Sequence, residues 1–180
     1  MGFLFFGSKK EQSIPVKNKV LFNKAAKWQV CKELFESNPE TLFVAWFEDS
    51  ASELRAVLKG ETENAVLLAS RPGFHLRPGA KLIFVERYPL KNREQEFFKT
   101  MRLSEVTCYC SLDDALMEHF GSKKIISLME KLGMKENEII ESSMIDNSLE
   151  RAQEELNKKI LVERTAGSQK EWMERNSPAN

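Results

Sequence analysis

The sequence predicts an α/β domain: a small, mostly parallel sheet flanked by helices, with a helical carboxy-terminal extension. Three observations carry that reading. Four short apolar runs, rich in β-branched and aromatic residues, lie at 41–47, 64–70, 81–88 and 105–110, as in strands buried on both faces. Segments of helical spacing separate most of these runs, and strand–helix alternation gives parallel neighbours joined by right-handed crossovers. Beyond residue 110 the periodic stretches have helical spacing.

Residues 1–20, with Pro15 among them, read as a flexible leader. A helix is expected from Asn23, where Ala26, Val30, Cys31, Leu34 and Phe35 form one apolar stripe. "SNPE" ends it, because Pro39 disfavours helix in the residue before it. "TLFVAWF" is the first strand. In "EDSASELRAVLKG" Ser50 and Glu53 have the spacing of a capping box, Leu54, Val57 and Leu58 face the sheet, and Gly60 closes the helix. "NAVLLAS" is the second strand, "RPGFHLRPGA" a loop by its two Pro-Gly pairs, and "KLIFVERY" the third strand. Joined only by that loop, the second and third strands need not pair with each other. "KNREQEFFKTMRL" is a short helix with Phe97, Phe98 and Met101 inward, and "EVTCYC" is the fourth strand.

After the fourth strand, Ser111 is expected to cap a helix whose Leu112, Leu116 and Phe120 share one face, with Asp113 and Asp114 at its positive end. Gly121 stops it. Ile125, Ile126, Leu128, Met129 and Leu132 form the next apolar stripe, which Gly133 stops. A longer helix from Ser143 aligns Ile145, Leu149, Ala152, Leu156 and Ile160. Ser168 and Glu171 make a second capping box, opening a last helix that carries Trp172 and Met173. The expected division is leader 1–20, α/β domain 21–134, and helical extension with tail 135–180. No internal repeat or low-complexity tract interrupts it.

Apolar residues make up 42% of the chain and charged residues 30%, with 27 basic and 27 acidic side chains in balance. That balance gives no footprint for nucleic acid, which normally calls for a basic excess. Cys31, Cys108 and Cys110 are an odd set without framework spacing, which favours a reducing, cytoplasmic setting. No apolar run approaches the roughly 20 residues of a membrane span. Phe3–Phe6, followed by Lys9 and Lys10, allows at most a peripheral membrane contact through the amino terminus.

One stretch is specific: "SLDDALMEHFGSKKIISLMEKLGMKENEIIESSMIDNSLERAQEEL". It has a serine-leucine-acidic-acidic start, a Phe-Gly helix end, an Ile- and Leu-rich helix closing on Leu-Gly-Met, and a long helix containing Ala-Gln. In that order and spacing it resembles the SecA preprotein-translocase ATPase family, at its second RecA-like nucleotide-binding domain and the start of the helical scaffold. The likeness is collinear from about Lys17 to Lys159. "KAAKWQVCKELFESNPETLFVAWFEDSASELRAVL" is similar to the opening of that domain, and "LIFVERYPL" to a strand ending in Glu-Arg-His. The resemblance implies a RecA-like, helicase-C-terminal-like sheet.

Departures from the family bear on activity. No G-x-x-x-x-G-K-[ST] phosphate loop occurs in the chain. The family's Asn-Met-Ala-Gly-Arg-Gly-Thr-Asp loop is replaced by "SRPGFHLRPGA", and its Arg-Gly-Arg-Ala-Gly-Arg by "EQEFFKTMR". Phe97 and Phe98 cannot place a fixed cation on a transferring phosphate, as an arginine finger does. The resemblance therefore implies the fold without the catalysis, with no cofactor and no metal. A protein partner, translocase components first, is expected. An alternative is a sensor that binds a nucleotide or anion through the 70–80 loop without hydrolysis.

Candidate residues follow. Arg71 and Arg77, with Gly73, form a weak anion site in that loop. Glu86 and Arg87 suggest a structural ion pair at a strand end. Cys108, Cys110 and His119 invite zinc, but C-x-C with one histidine is a poor ligand set, and small buried hydrophobes are the better reading. Neither His75 nor His119 has a triad partner. Trp172, with Met173, is expected to be an exposed interaction anchor. Ser111, Asp113, Asp114, Gly121 and Gly133 are expected to be structural.

Overall fold

The structure, a computed structural model, describes residues 13–59, 64–71, 80–131 and 133–177. Its elements in order are β1 (Val16–Leu21), α1 (Lys24–Ser37), β2 (Leu42–Ala45), α2 (Glu48–Leu58), β3 (Val66–Leu68), β4 (Leu82–Phe84), α3 (Lys91–Thr100), β5 (Val106–Ser111), α4 (Ala115–His119), α5 (Ser122–Lys131), α6 (Ser143–Lys159) and α7 (Gln169–Asn176). The five strands form one all-parallel sheet in the order β1-β5-β4-β2-β3. As expected, β3 and β4 do not pair; β2 lies between them.

Side-chain alternation assigns the two faces. Phe43, Ala45, Ile83, Val85 and Tyr109 pack under α1 and α2, with Trp28, Cys31, Ala51 and Leu54. Val20, Val44, Phe84, Cys108 and Cys110 pack under α3, α4, α6 and α7, with Phe98, Leu116, Leu149, Leu156 and Trp172. The carboxy-terminal helices are thus the second layer of the sheet.

Three expectations need correction. Residues 16–20 are not leader: β1 pairs along its length with β5, from Val16 opposite Val106 to Leu21 opposite Ser111. Its signal is weak because it is an edge strand, where Lys17 is exposed, Lys19 is half-buried, and only Asn18, Val20 and Leu21 are buried. A backbone exchange between Val20 and Ile140 covers that edge at one point, at 3.0 and 2.8 Å. Ser50 does not cap α2, which starts at Glu48 with Phe47 at the cap position. Ser111 does not cap α4; it ends β5, and Asp114 takes the cap position. Phe47 and Asp114 make no side-chain capping bond there.

Other signals hold. Asn23 Oδ1 accepts the Ala26 N–H at 2.8 Å and starts α1. Ser168 Oγ accepts the Glu171 N–H at 3.1 Å, while Glu171 reaches back to the Gly167 N–H at 2.6 Å. Gly121 and Gly133 end their helices with φ of 91° and 71°, a region that other residues enter only under strain. Gly60 lies outside the described residues.

Candidate functional site

In an open parallel sheet, ligands gather beyond the carboxyl ends of the strands. Here three short turns meet there: Trp46–Phe47 after β2, Glu86–Tyr88 after β4, and Leu112–Asp114 after β5. The segment before α7 crosses over them, and two concavities flank it.

The first is a polar crevice of about 230 Å³ lined by Glu86, Asp114, Asp113, Glu53, Ser50 and Gln169 among others. Beneath it, Lys27 is 1% exposed and donates to Asp114 Oδ1 at 2.7 Å. Asp114 also accepts the Ser111 N–H at 2.9 Å and the Ser111 hydroxyl at 2.8 Å. Glu86 Oε1 accepts the Trp46 and Phe47 N–H groups at 3.0 and 3.1 Å, and its Oε2 accepts the Ser50 hydroxyl at 2.7 Å. Burial pushes the Glu86 carboxyl up to about 7, against the pull of the Lys27 ammonium and the donors from Ser50 and Phe47. Burial also works against the Lys27 charge, but Asp114 and Glu86 outweigh it and hold that ammonium above its ordinary range.

The second concavity is an aromatic groove of about 680 Å³, lined by Trp46, Phe47, Tyr88, Phe97, Trp172 and Glu163 among others. Trp46 sits 5.0 Å, centroid to centroid, from both Tyr88 and Phe97. Glu163 accepts from the Tyr88 hydroxyl and, at 2.7 Å, from the Trp172 indole N–H. Immediately before Glu163 in the chain, Leu161 and Val162 are 92% and 83% exposed.

Between the two, Arg87 is a hub. Its guanidinium forks onto Glu94 at 2.8 and 2.7 Å, and also reaches Asn18 at 2.9 Å and Gln153 at 3.1 Å. Gln153 returns to Tyr88 O at 2.6 Å. Gln169 donates to Arg87 O at 2.8 Å and accepts the Leu116 N–H at 2.9 Å. β1, β4, α3, α4, α6 and α7 are thereby tied at one point, and the Arg87 fork is fully committed. The ion pair expected at Glu86 and Arg87 forms otherwise: Arg87 pairs with Glu94, and Glu86 accepts from Trp46, Phe47 and Ser50.

The remaining candidates separate. Arg71 is exposed and lies 3.8 Å from Glu48; Gly73, Arg77 and His75 lie outside the described residues. Asp113 accepts the Lys24 N–H at 3.1 Å and so serves the start of α1, not of α4. Cys108 and Cys110 are buried with sulfurs 3.5 Å apart, and His119 is exposed on α4. No cluster of three or more metal-ligating side chains occurs among the described residues. Trp172 and Met173 are not an exposed anchor: they are 1% and 8% exposed, in the core beneath the sheet. Among the described residues no helix is long and apolar enough to cross a membrane.

Lys27 and Gln153 escaped sequence reasoning, although each had a signal. Lys27 lies four residues before Cys31 on a buried stripe, and Gln153 adjoins Ala152 on another. A polar residue at a core position calls for a buried partner.

No family model matches the chain. Over shorter stretches it is similar to a curated protein, translocase subunit SecA. The identity is 50% over 52 residues to that of Chlorobium phaeobacteroides (strain DSM 266), covering 29% of this chain and 5% of the relative. It is 56% over 45 residues to that of Chloroherpeton thalassium, covering 25% and 4%. For Chlorobaculum tepidum it is 52% over 48 residues, covering 27% and 5%. One region of this chain is therefore related to SecA, and the match spans about a twentieth of those relatives' length.

Proposed function

We propose that the chain is a non-catalytic, SecA-like interaction module that serves protein translocation as an accessory. One observation carries the non-catalytic part. The carboxyl edge of the sheet, where a nucleotide's phosphates would lie, is lined by Glu53, Glu86, Asp113 and Asp114 and crossed by the segment that leads into α7. Carboxylates repel a triphosphate, and the buried arginine at that edge is held by Glu94. The absent phosphate loop and arginine-finger motif point the same way, and the SecA-related stretch supports the translocation context.

The interacting surface on this reading is the aromatic groove together with the exposed Leu161 and Val162 that precede Glu163 in the chain, since the apolar faces of α6 and α7 are occupied by the sheet. The test is recovery of the tagged chain from its own cells, cytosolic and membrane fractions separately, with quantitative mass spectrometry. Enrichment of translocase components that is lost in a Leu161→Asp, Val162→Asp double variant is the expected result. Magnesium-dependent ATP hydrolysis by the purified chain, or a thermal shift with ATP or ADP, would overturn the reading. In the second case the nucleotide sensor takes its place.

A further inference from the structure

We propose that Glu86 is a proton-operated clamp on the first turn of α2, closed when its carboxyl is protonated and loosened when it is ionised. This rests on the geometry beneath the polar crevice and stands apart from the translocation reading.

Three ionisable side chains are buried together there: Lys27 from α1, Glu86 from the end of β4 and Asp114 from the cap of α4, which are 1%, 2% and 8% exposed. One cation faces two carboxylates. Asp114 already holds Lys27 at 2.7 Å, so an ionised Glu86 leaves the enclosed cluster with a surplus negative charge. Burying such a charge without a partner is costly, and a proton is the simplest way to remove it. The surroundings agree. From α2, Asp49 and Glu53 line the same crevice; from the β5–α4 turn and α4, Asp113 and Glu118 do; the ammonium groups facing them are Lys24 and Lys170. Four further carboxylates therefore oppose two further ammonium groups. Burial carries the Glu86 carboxyl to about 7, within physiological range.

The same carboxyl has a mechanical role. Oε1 accepts the N–H groups of Trp46 and Phe47, and Oε2 accepts the Ser50 hydroxyl. These residues join β2 to α2, and Phe47 has no side-chain cap of its own. A protonated Glu86 keeps one oxygen for the two N–H groups and turns its O–H toward the Ser50 oxygen. An ionised Glu86 accepts from these donors more strongly, but it is then a buried charge whose cost exceeds both those bonds and the pull of Lys27, so ionisation favours any opening of the turn that lets water reach it. Trp46 and Phe47 also line the aromatic groove, so the clamp links the proton concentration to the groove wall.

The experiment is NMR on the full chain labelled with ¹³C at glutamate carboxyls and with ¹⁵N, titrated from pH 5 to 9. The Glu86 carboxyl is expected to titrate near neutrality. The exchange protection of the Trp46 and Phe47 amides, corrected for intrinsic base catalysis, is expected to fall about tenfold from pH 6 to 8. Glu86→Gln, a neutral isostere, should keep these amides protected across the range. Asp114→Asn should lower the midpoint, since Lys27 is then left to Glu86 alone. Asp114→Asn also tests the cluster if Glu86→Gln fails to fold. A Glu86 carboxyl that stays ionised down to pH 5 in the folded chain overturns the proposal. So does one that titrates near neutrality while the Trp46 and Phe47 amides keep their protection.

Discussion

Arg87 shows how far one side chain can organise this fold. Its guanidinium satisfies Glu94, Asn18 and Gln153 in a region closed to water. Truncating one member of a buried ion pair leaves the other charge uncompensated, at a cost of about 3–5 kcal/mol. Arg87→Met is therefore expected to lose about that much stability in urea denaturation, while the exposed pair Lys17–Glu105 can be broken for about 1 kcal/mol or less. Glu86 acts in the opposite sense. Its carboxyl binds a proton more tightly in the folded chain, at about 7, than at its ordinary value of 4.5. The folded state thus gains from that proton at acid pH, and its stability declines as pH rises from about 4.5 to 7. Thermal melts across that window should show the decline in the parent chain and a flatter profile in Glu86→Gln.

At the scale of elements, α7 is the decisive piece. It is only eight residues long, too short to persist alone in water. It is held by its Ser168 cap, by Gln169 across the strand ends, and by Trp172 in the core. Trp172→Ala is expected to cost about 3–5 kcal/mol, and Ser168→Ala about 1 kcal/mol, both read by denaturation. At Gly121 and Gly133 an added Cβ meets nothing within 4 Å, so alanine there should cost only the backbone strain of roughly 1–2 kcal/mol. The same elements show what was legible beforehand. Both-face-buried strands announce themselves as apolar runs, and the helix start at Asn23 and the cap at Ser168 lie at their predicted places. β1 did not announce itself, because an edge strand carrying two lysines has half the apolar signal. Trp172 was misplaced because eight polar-rich residues give no stripe to show which side is covered. The site was hardest to read: Glu86 and Asp114 lie 59 and 87 residues beyond Lys27 in sequence, and only the sheet brings them together.

For the whole molecule, two layers of helices enclose one sheet, and the last two helices belong to the second layer as fully as α3 does. Removing residues from Gln169 onward is expected to uncover Tyr88 and the Arg87 carbonyl and to destabilise the entire domain, not merely shorten it. Limited proteolysis tests this: α7 should resist cleavage as long as the sheet core does, whereas an independent appendage would be clipped first. The proposed lack of ATP turnover belongs to this scale too, since it follows from how the strand ends are filled and not from any single residue.

The strand order carries a further consequence, for the timing of assembly. Among the described strands β1 is the first made, yet its only neighbour in the sheet is β5, the last of them. Val16 must wait for Val106 to emerge before it finds its place, and closing so long a loop is slow because the entropy is lost before the contacts form. During synthesis β2, β3 and β4 can join while the outermost strand stays unpaired. The growing chain therefore presents a sticky, unfinished edge until late in its birth, and a holding chaperone is expected to bind nascent chains that end before residue 106 more strongly than chains that extend beyond β5.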